Sequence, residues 1–188
     1  MISISDITRP LNGVLYLACF QVHGFRYIRS DIRSFGQSFF AAGLILPFFI
    51  FVGILRFNEQ KFDYGLLRYI GLDLSAYAIS WLIFPLIMLY LCDILDCSKN
   101  YLKFITAYNW AQVPQGVLYT LLIFLGSIGV LSSFLATTLV FFLLIWTVGF
   151  TFFITLNSLA ISSMNAIGIV LLDFLLGLVI EVVINSRY

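Results

Sequence analysis

Between Lys103 and Asp173 the chain runs for 69 residues without an Asp, Glu, Lys or Arg. An α-helix advances about 1.5 Å per residue and a bilayer core is about 30 Å thick, so one crossing takes roughly 20 residues. A charge-free run of this length predicts three consecutive crossings joined by tight turns. Composition agrees, because the chain is 62% hydrophobic and only 10% charged, where an ordinary soluble domain carries about 25% charge. The expected fold class is therefore all-α, a polytopic membrane protein.

The formal net charge of +1 hides a segregation, with most charged residues placed before residue 104. Ten basic residues, dispersed among nine acidic ones, make no basic face, so nucleic acid is not an expected partner. Cys19, Cys92 and Cys97 lack C-x-x-C spacing and have only His23 for company. No metal or other cofactor is expected, and the thiols read as small apolar side chains. No cleavable signal peptide is expected either. Asp6 and Arg9 precede the first apolar stretch, whereas a signal puts positive charge first and ends at a small-residue cleavage site.

Two regions follow: an N-terminal interfacial region over 1–33 and a transmembrane domain over 34–188. Within 10–25, Leu11, Val14, Leu15, Ala18, Val22 and Phe25 recur at three- and four-residue spacing, which predicts one apolar stripe on an amphipathic helix. Thr8 and Pro10 suit its start. Arg26, Arg29 and Arg33 would then lie at headgroup level and meet anionic lipid. The alternative is a helix packed on the protein's own cytoplasmic side. Five spans are predicted, over about 38–55, 77–95, 104–128, 134–156 and 160–184, with a second surface helix over 64–74. Gly126 to Gly129, and Asn157 through Ser163, supply the small and polar residues of tight connections. With the N-terminus inside, the inner side holds Arg9, Arg26, Arg29, Arg33, Lys99 and Lys103. The outer side holds Arg56, Lys61, Arg68 and Arg187. That bias predicts a cytoplasmic N-terminus.

Asp173 falls near the middle of the fifth predicted span, where an ionised carboxylate costs about 2.5–3.5 kcal/mol on insertion scales. Steps of four give Asn165, Ile169, Asp173, Gly177 and Glu181. Asn165, Asp173 and Glu181 are therefore expected on one inward face, with Gly177 leaving room between them. No Lys or Arg sits at matching depth in the last three spans. Asp173 would then carry its own proton, because burial disfavours the charged form. Otherwise it bonds neutral amides and hydroxyls, or takes a counter-charge from outside: an ion, a substrate or a partner subunit.

The third span carries Asn109, Gln112 and Gln115, three residues apart, with Pro114 between the last two. Pro114 withdraws the amide that would bond the Trp110 carbonyl, which predicts a kink and a freed acceptor. Ala107 and Ala111 form a small-xxx-small pair that permits close helix approach. The cluster reads either as interhelical hydrogen bonds, worth about 0.6 kcal/mol each, or as a polar cavity shared with Asn165. Pro47 and Pro85 sit centrally in the first two spans, and Thr147, Thr151 and Thr155 repeat at four-residue intervals. Threonine hydroxyls at that spacing can bond their own helix backbone. Asp93 and Asp96, with Lys99 and Lys103 close by, read as a local charge cluster. The chain has no G-x-S-x-G, H-E-x-x-H, Walker loop or paired histidines, so no enzymatic activity is expected.

The amphipathic start, five spans and the passage YLKFITAYNWAQVP from Tyr101 to Pro114 resemble the Yip (Ypt-interacting-protein-like) family of membrane proteins and its bacterial relatives. SFFAAGLILP, from Ser38 to Pro47, is similar to small bacterial inner-membrane proteins of that type. The resemblance implies a scaffold or adaptor in a bacterial inner membrane and supplies no site residues. Two readings stand at this point. One is a non-enzymatic scaffold, adaptor or accessory subunit, its partners the lipid bilayer, other membrane proteins or further copies of itself. In it Asp173, Asn165, Glu181 and Gly177 hold a partner helix or a bound lipid. The other is a small proton-coupled transporter in which Asp173 takes and releases a proton beside Asn109, Gln112 and Asn165.

Overall fold

A computed structural model describes residues 3–59 and 65–185. Its α-helices are α1 (Ile4–Ala18), α2 (Ile32–Ser38), α3 (Phe40–Glu59), α4 (Leu66–Ile94), α5 (Tyr101–Ser127), α6 (Ser133–Leu159) and α7 (Ser163–Asn185), with no strand among the described residues. Four stretches are long and apolar enough to cross a membrane: Ile32–Asn58, Leu66–Ile94, Ser133–Leu159 and Ser163–Val183. That makes the chain an integral membrane protein on length and composition. Lys61 and Arg187, counted above for the outer side, lie outside the described residues.

The missing member of the predicted set is α5. At 27 residues it is about 40 Å long, but its polar cluster lowers its apolarity. Its surroundings explain how it tolerates them. Helices α1, α2, α3, α4 and α6 all pack against it, and it buries Phe104, Ile105, Ala107, Asn109, Trp110 and Ala111. The first half of α5, enclosed by protein, has no need of an apolar outer face, whereas its second half exposes Val117, Leu118, Leu121 and Phe124. The approach is close enough at Gly116 that a Cβ there would stand 3.1 Å from Ile45.

The single helix expected over 10–25 is broken. Phe20 adopts a left-handed φ of 58°, so α1 stops at Ala18 and Val22–Tyr27 folds back as a 3-10 segment. Pro10, expected at the start, lies inside the helix. The reversal changes the phase of the stripe: Val14, Leu17 and Phe25 are buried, whereas Leu15 and Val22 are exposed. Helix and return segment touch backbone to backbone, since a Cβ on Gly24 would lie 2.5 Å from the Gly13 carbonyl oxygen. The pair is pinned to α6, where the Trp146 indole donates to the Ala18 carbonyl at 3.3 Å and Phe20 and Phe25 meet Phe153.

The surface helix expected over 64–74 is not a separate element. Residues 66–94 form one helix of 29 residues, about 43 Å long. The expected turns fall into place. Gly129, with a φ of 74°, sits between α5 and α6, and left-handed Ala160 ends α6. Open carbonyls at these ends find side-chain donors, as Asn100 donates to the Leu159 carbonyl at 2.9 Å. The best-packed core gathers Phe84, Met88, Phe104, Trp110, Phe150 and Ile154 around the first half of α5, at the end of the bundle where α1 and α2 sit. Toward the opposite end the helices part, and α7 buries only its early residues Ala166, Ile169 and Val170 among those described.

Candidate functional site

Asp173 stands where the packed half of the bundle gives way to the open half, about 15 Å along α7 from its start. Its carboxylate accepts a hydrogen bond of 2.7 Å from the Tyr108 hydroxyl of α5. Of the three outcomes weighed above, the structure therefore supplies a neutral partner. Both residues line a cavity of about 270 Å³ between α3, α4, α5 and α7, together with Tyr77, Ser80, Trp81, Phe84, Asn109, Gln112 and Gly177.

The cavity continues. A neighbouring hollow of about 310 Å³ shares Tyr77, Ser80 and Gly177 with it and reaches Arg56, Asp73 and Glu181. A further one of about 220 Å³ shares Ile45 and Gly116 and also touches Arg56 and Asp73. The result is one cleft with a carboxylate at its inner end and charged groups of both signs at its mouth. There Arg56 donates to the Tyr119 hydroxyl at 2.6 Å, and Glu181 is among the groups that attract it.

Asn109 is buried, at 1% exposure, and its bonding is lopsided. The Ser38 hydroxyl donates its proton to the Phe35 carbonyl at 2.7 Å, so its oxygen can only accept from the Asn109 amide, at 2.9 Å. That orients the amide and leaves Asn109 Oδ1 buried without a hydrogen-bond partner.

The expected site residues divide. Asp173, Gly177, Asn109 and Gln112 share the cavity, and Glu181 stands at the mouth. Asn165 is exposed near the start of α7 and lines none of these hollows. Each four-residue step turns a helix by about 40° beyond a full turn, so two steps carry Asn165 about 80° away from Asp173. Three-residue steps fall about 60° short of a full turn, and Gln115 lies on another, buried face of α5, away from the cavity. Pro114 lies within α5 without lining the cavity.

At the other end of the bundle, Arg26, Arg29 and Arg33 are all exposed, as a surface role requires. Arg33 is engaged, 3.7 Å from the Asp6 carboxylate. The Arg26 carbonyl accepts from Arg9 at 3.4 Å. The expected charge cluster at Asp93 takes another form, since Asp93 accepts from the Ser98 hydroxyl and Lys103 lies over the Phe25 ring at 4.9 Å.

Sequence reasoning missed the α4 wall. Tyr77, Ser80, Trp81 and Phe84 stand at i, i+3, i+4 and i+7, the signature of one helix face, and that face of polar and aromatic residues was the available signal. Tyr108 was missed as the Asp173 partner, although it is four residues from Gln112. Among the described residues no group of three or more His, Cys, Asp or Glu could hold a metal ion. The chain matches no protein family, no curated protein and no solved structure.

Proposed function

We propose that the chain is a non-enzymatic membrane protein of five crossings, an accessory or scaffold subunit that holds a membrane component, a lipid or a partner's helix, in the Asp173 cleft. The observation that carries this reading is the carboxylate at mid-helix depth whose hydrogen-bond partner is a neutral hydroxyl. A charge in such surroundings is costly until something compensates it, and the cleft gives an outside group a way to reach it. Counting α5 as the fifth crossing is supported by its length and by the five helices around it.

A cytoplasmic N-terminus is supported by the basic residues that share one end of the bundle with α1. In that orientation Arg26 and Arg29 face the headgroups of the inner leaflet. A bacterial inner membrane and kinship with the Yip family complete the proposal. Purification in mild detergent followed by native mass spectrometry tests it: the wild-type protein should retain a mass adduct that Asp173→Asn loses. Identical spectra for the two proteins would sink the reading.

A second reading has its own support. Tyr108, Ser80, Tyr77, Asp73, Arg56 and Glu181 follow one another along the cleft, a polar track suited to a proton-coupled carrier. Proton flux in liposomes under a pH gradient separates the two, because an accessory subunit carries none.

A further inference from the structure

We infer that a second hollow, at the α1 end of the bundle, binds a phosphate group through Arg9 and Arg29. This hollow shares no residue with the Asp173 cleft, so the inference is independent of the role proposed for that cleft. Its volume is about 120 Å³, well under the range of about 300–1,000 Å³ for drug-sized ligands. That suits a compact group rather than a whole nucleotide. Arg9 reaches it from α1, and Tyr27 and Arg29 from the return segment and its exit. Thr106 and Trp110 of α5, each 1% exposed, close its inner end.

Its unspent polar groups are mainly donors. Arg29 hydrogen-bonds none of the described residues, and Arg9 makes one long contact, 3.4 Å to the Arg26 carbonyl. The Tyr27 hydroxyl and the Trp110 indole N–H also lack a partner among the described residues. Unlike the Asn109 oxygen, that indole N–H is not sealed off.

The acids nearby are occupied. Asp6 accepts from the Ser3 backbone N–H at 3.1 Å and the Gln37 amide at 3.0 Å, and lies 3.7 Å from Arg33. Asp31, which attracts Arg29, accepts from the Ser34 N–H at 2.8 Å and the Ser34 hydroxyl at 3.1 Å. Thr106 donates to the Leu102 carbonyl at 2.7 Å, so its oxygen and that of the Gln37 amide remain as neutral acceptors. Over residues 3–38 four arginines face two aspartates, a surplus of two positive charges. Two guanidiniums with little to bond inside the protein therefore select an anion. Their planar forks match carboxylate and phosphate alike, but here the donors come from three segments of the chain. A carboxylate presents two oxygens in one plane, whereas the tetrahedral oxygens of a phosphate meet donors from several sides.

The test follows 4-fluorophenyl phosphate by fluorine NMR with the full chain in dodecyl maltoside micelles. Salt of about 0.15 M screens remote surface charge. Saturable binding is expected, and 4-fluorobenzoate should bind several-fold more weakly. Arg9→Gln and Arg29→Gln should each weaken phosphate binding about fivefold or more, and Tyr27→Phe about threefold. Arg26→Gln, whose side chain is exposed outside the hollow, should stay within about twofold of wild type. Equal binding of the benzoate overturns the inference, as does a loss in Arg26→Gln equal to that in the other two. Undiminished binding by Arg9→Gln or Arg29→Gln overturns it too, and so does the absence of saturable binding. All four positions are at least partly exposed, and only variants that elute like wild type are compared.

Phosphatidic acid added to the micelles distinguishes the source of the phosphate. Competition by it, with none from diacylglycerol, assigns the phosphate to a lipid headgroup, and no competition assigns it to a free organic phosphate; both keep the chemistry. Equal competition by diacylglycerol, which has no phosphate, overturns the inference.

Discussion

At the scale of single residues the consequential pair is Tyr108 and Asp173. Tyr108→Phe takes away the donor and leaves the carboxylate without its partner. Loss of one hydrogen bond to a half-buried polar group costs about 1–3 kcal/mol, so the melting temperature in detergent should fall clearly below wild type. Asp173→Asn behaves differently. Its amide oxygen can still accept from Tyr108, so stability should change by about 1 kcal/mol or less. An unchanged melting temperature for Tyr108→Phe would remove the pair from the account of stability. Asp173 was visible in the sequence because a lone acid in an apolar helix is improbable without a role. Tyr108 was not, because tyrosine is common in membrane helices and only contact with α7 gives its hydroxyl a purpose. The orphaned Asn109 oxygen was equally invisible: it depends on Ser38, far away in the chain, spending its proton on Phe35.

Among the elements, α1 shows how a local stop redirects a segment. Its amphipathic stripe was legible as periodicity, but the break at Phe20 and the backbone contact between Gly13 and Gly24 were not. Gly24→Ala would force a Cβ to 2.5 Å from the Gly13 carbonyl and 2.8 Å from Leu17. Overpacking of this kind costs typically about 1–3 kcal/mol. Limited proteolysis should then cut at residues 18–22 faster than in wild type, whereas Gly36→Ala, with open space around it, should leave the pattern alone.

The start of α1 also carries a pH dependence. The Ser3 backbone N–H, aided by Gln37, the Ser3 hydroxyl and Arg33 and opposed by desolvation, holds the Asp6 carboxyl below its ordinary value of 3.8. A carboxyl lowered by folding adds stability that is whole above about pH 3.8 and drains away as pH falls through the lower folded value. Exchange protection of the first turn of α1, corrected for intrinsic rates, should therefore fall below pH 4 in wild type. Asp6→Asn should lose that dependence, and a parallel fall in the variant would assign it elsewhere.

For the molecule as a whole the testable quantity is the number of crossings. If α5 crosses, Gly129 and the exposed Ser30, between Arg29 and Asp31, lie on opposite faces of the membrane. In a Cys19→Ser background, a membrane-impermeant maleimide applied to spheroplasts should then label a cysteine placed at Gly129 while sparing one placed at Ser30, and inverted vesicles should reverse the pattern. Labelling of both from one side would return α5 to a non-spanning role. Taken alone, the sequence determined the medium, the helical class, the turns around Gly129 and Ala160, and the mid-helix position of Asp173. Each of these depends on apolar run length and on local backbone preference. Tertiary structure alone decided that the first half of α5 is enclosed, that α1 folds back onto α6, and that α4 lends its aromatic face to the cleft. Those outcomes depend on which helix lies beside which, and residues far apart in the chain settle that by packing.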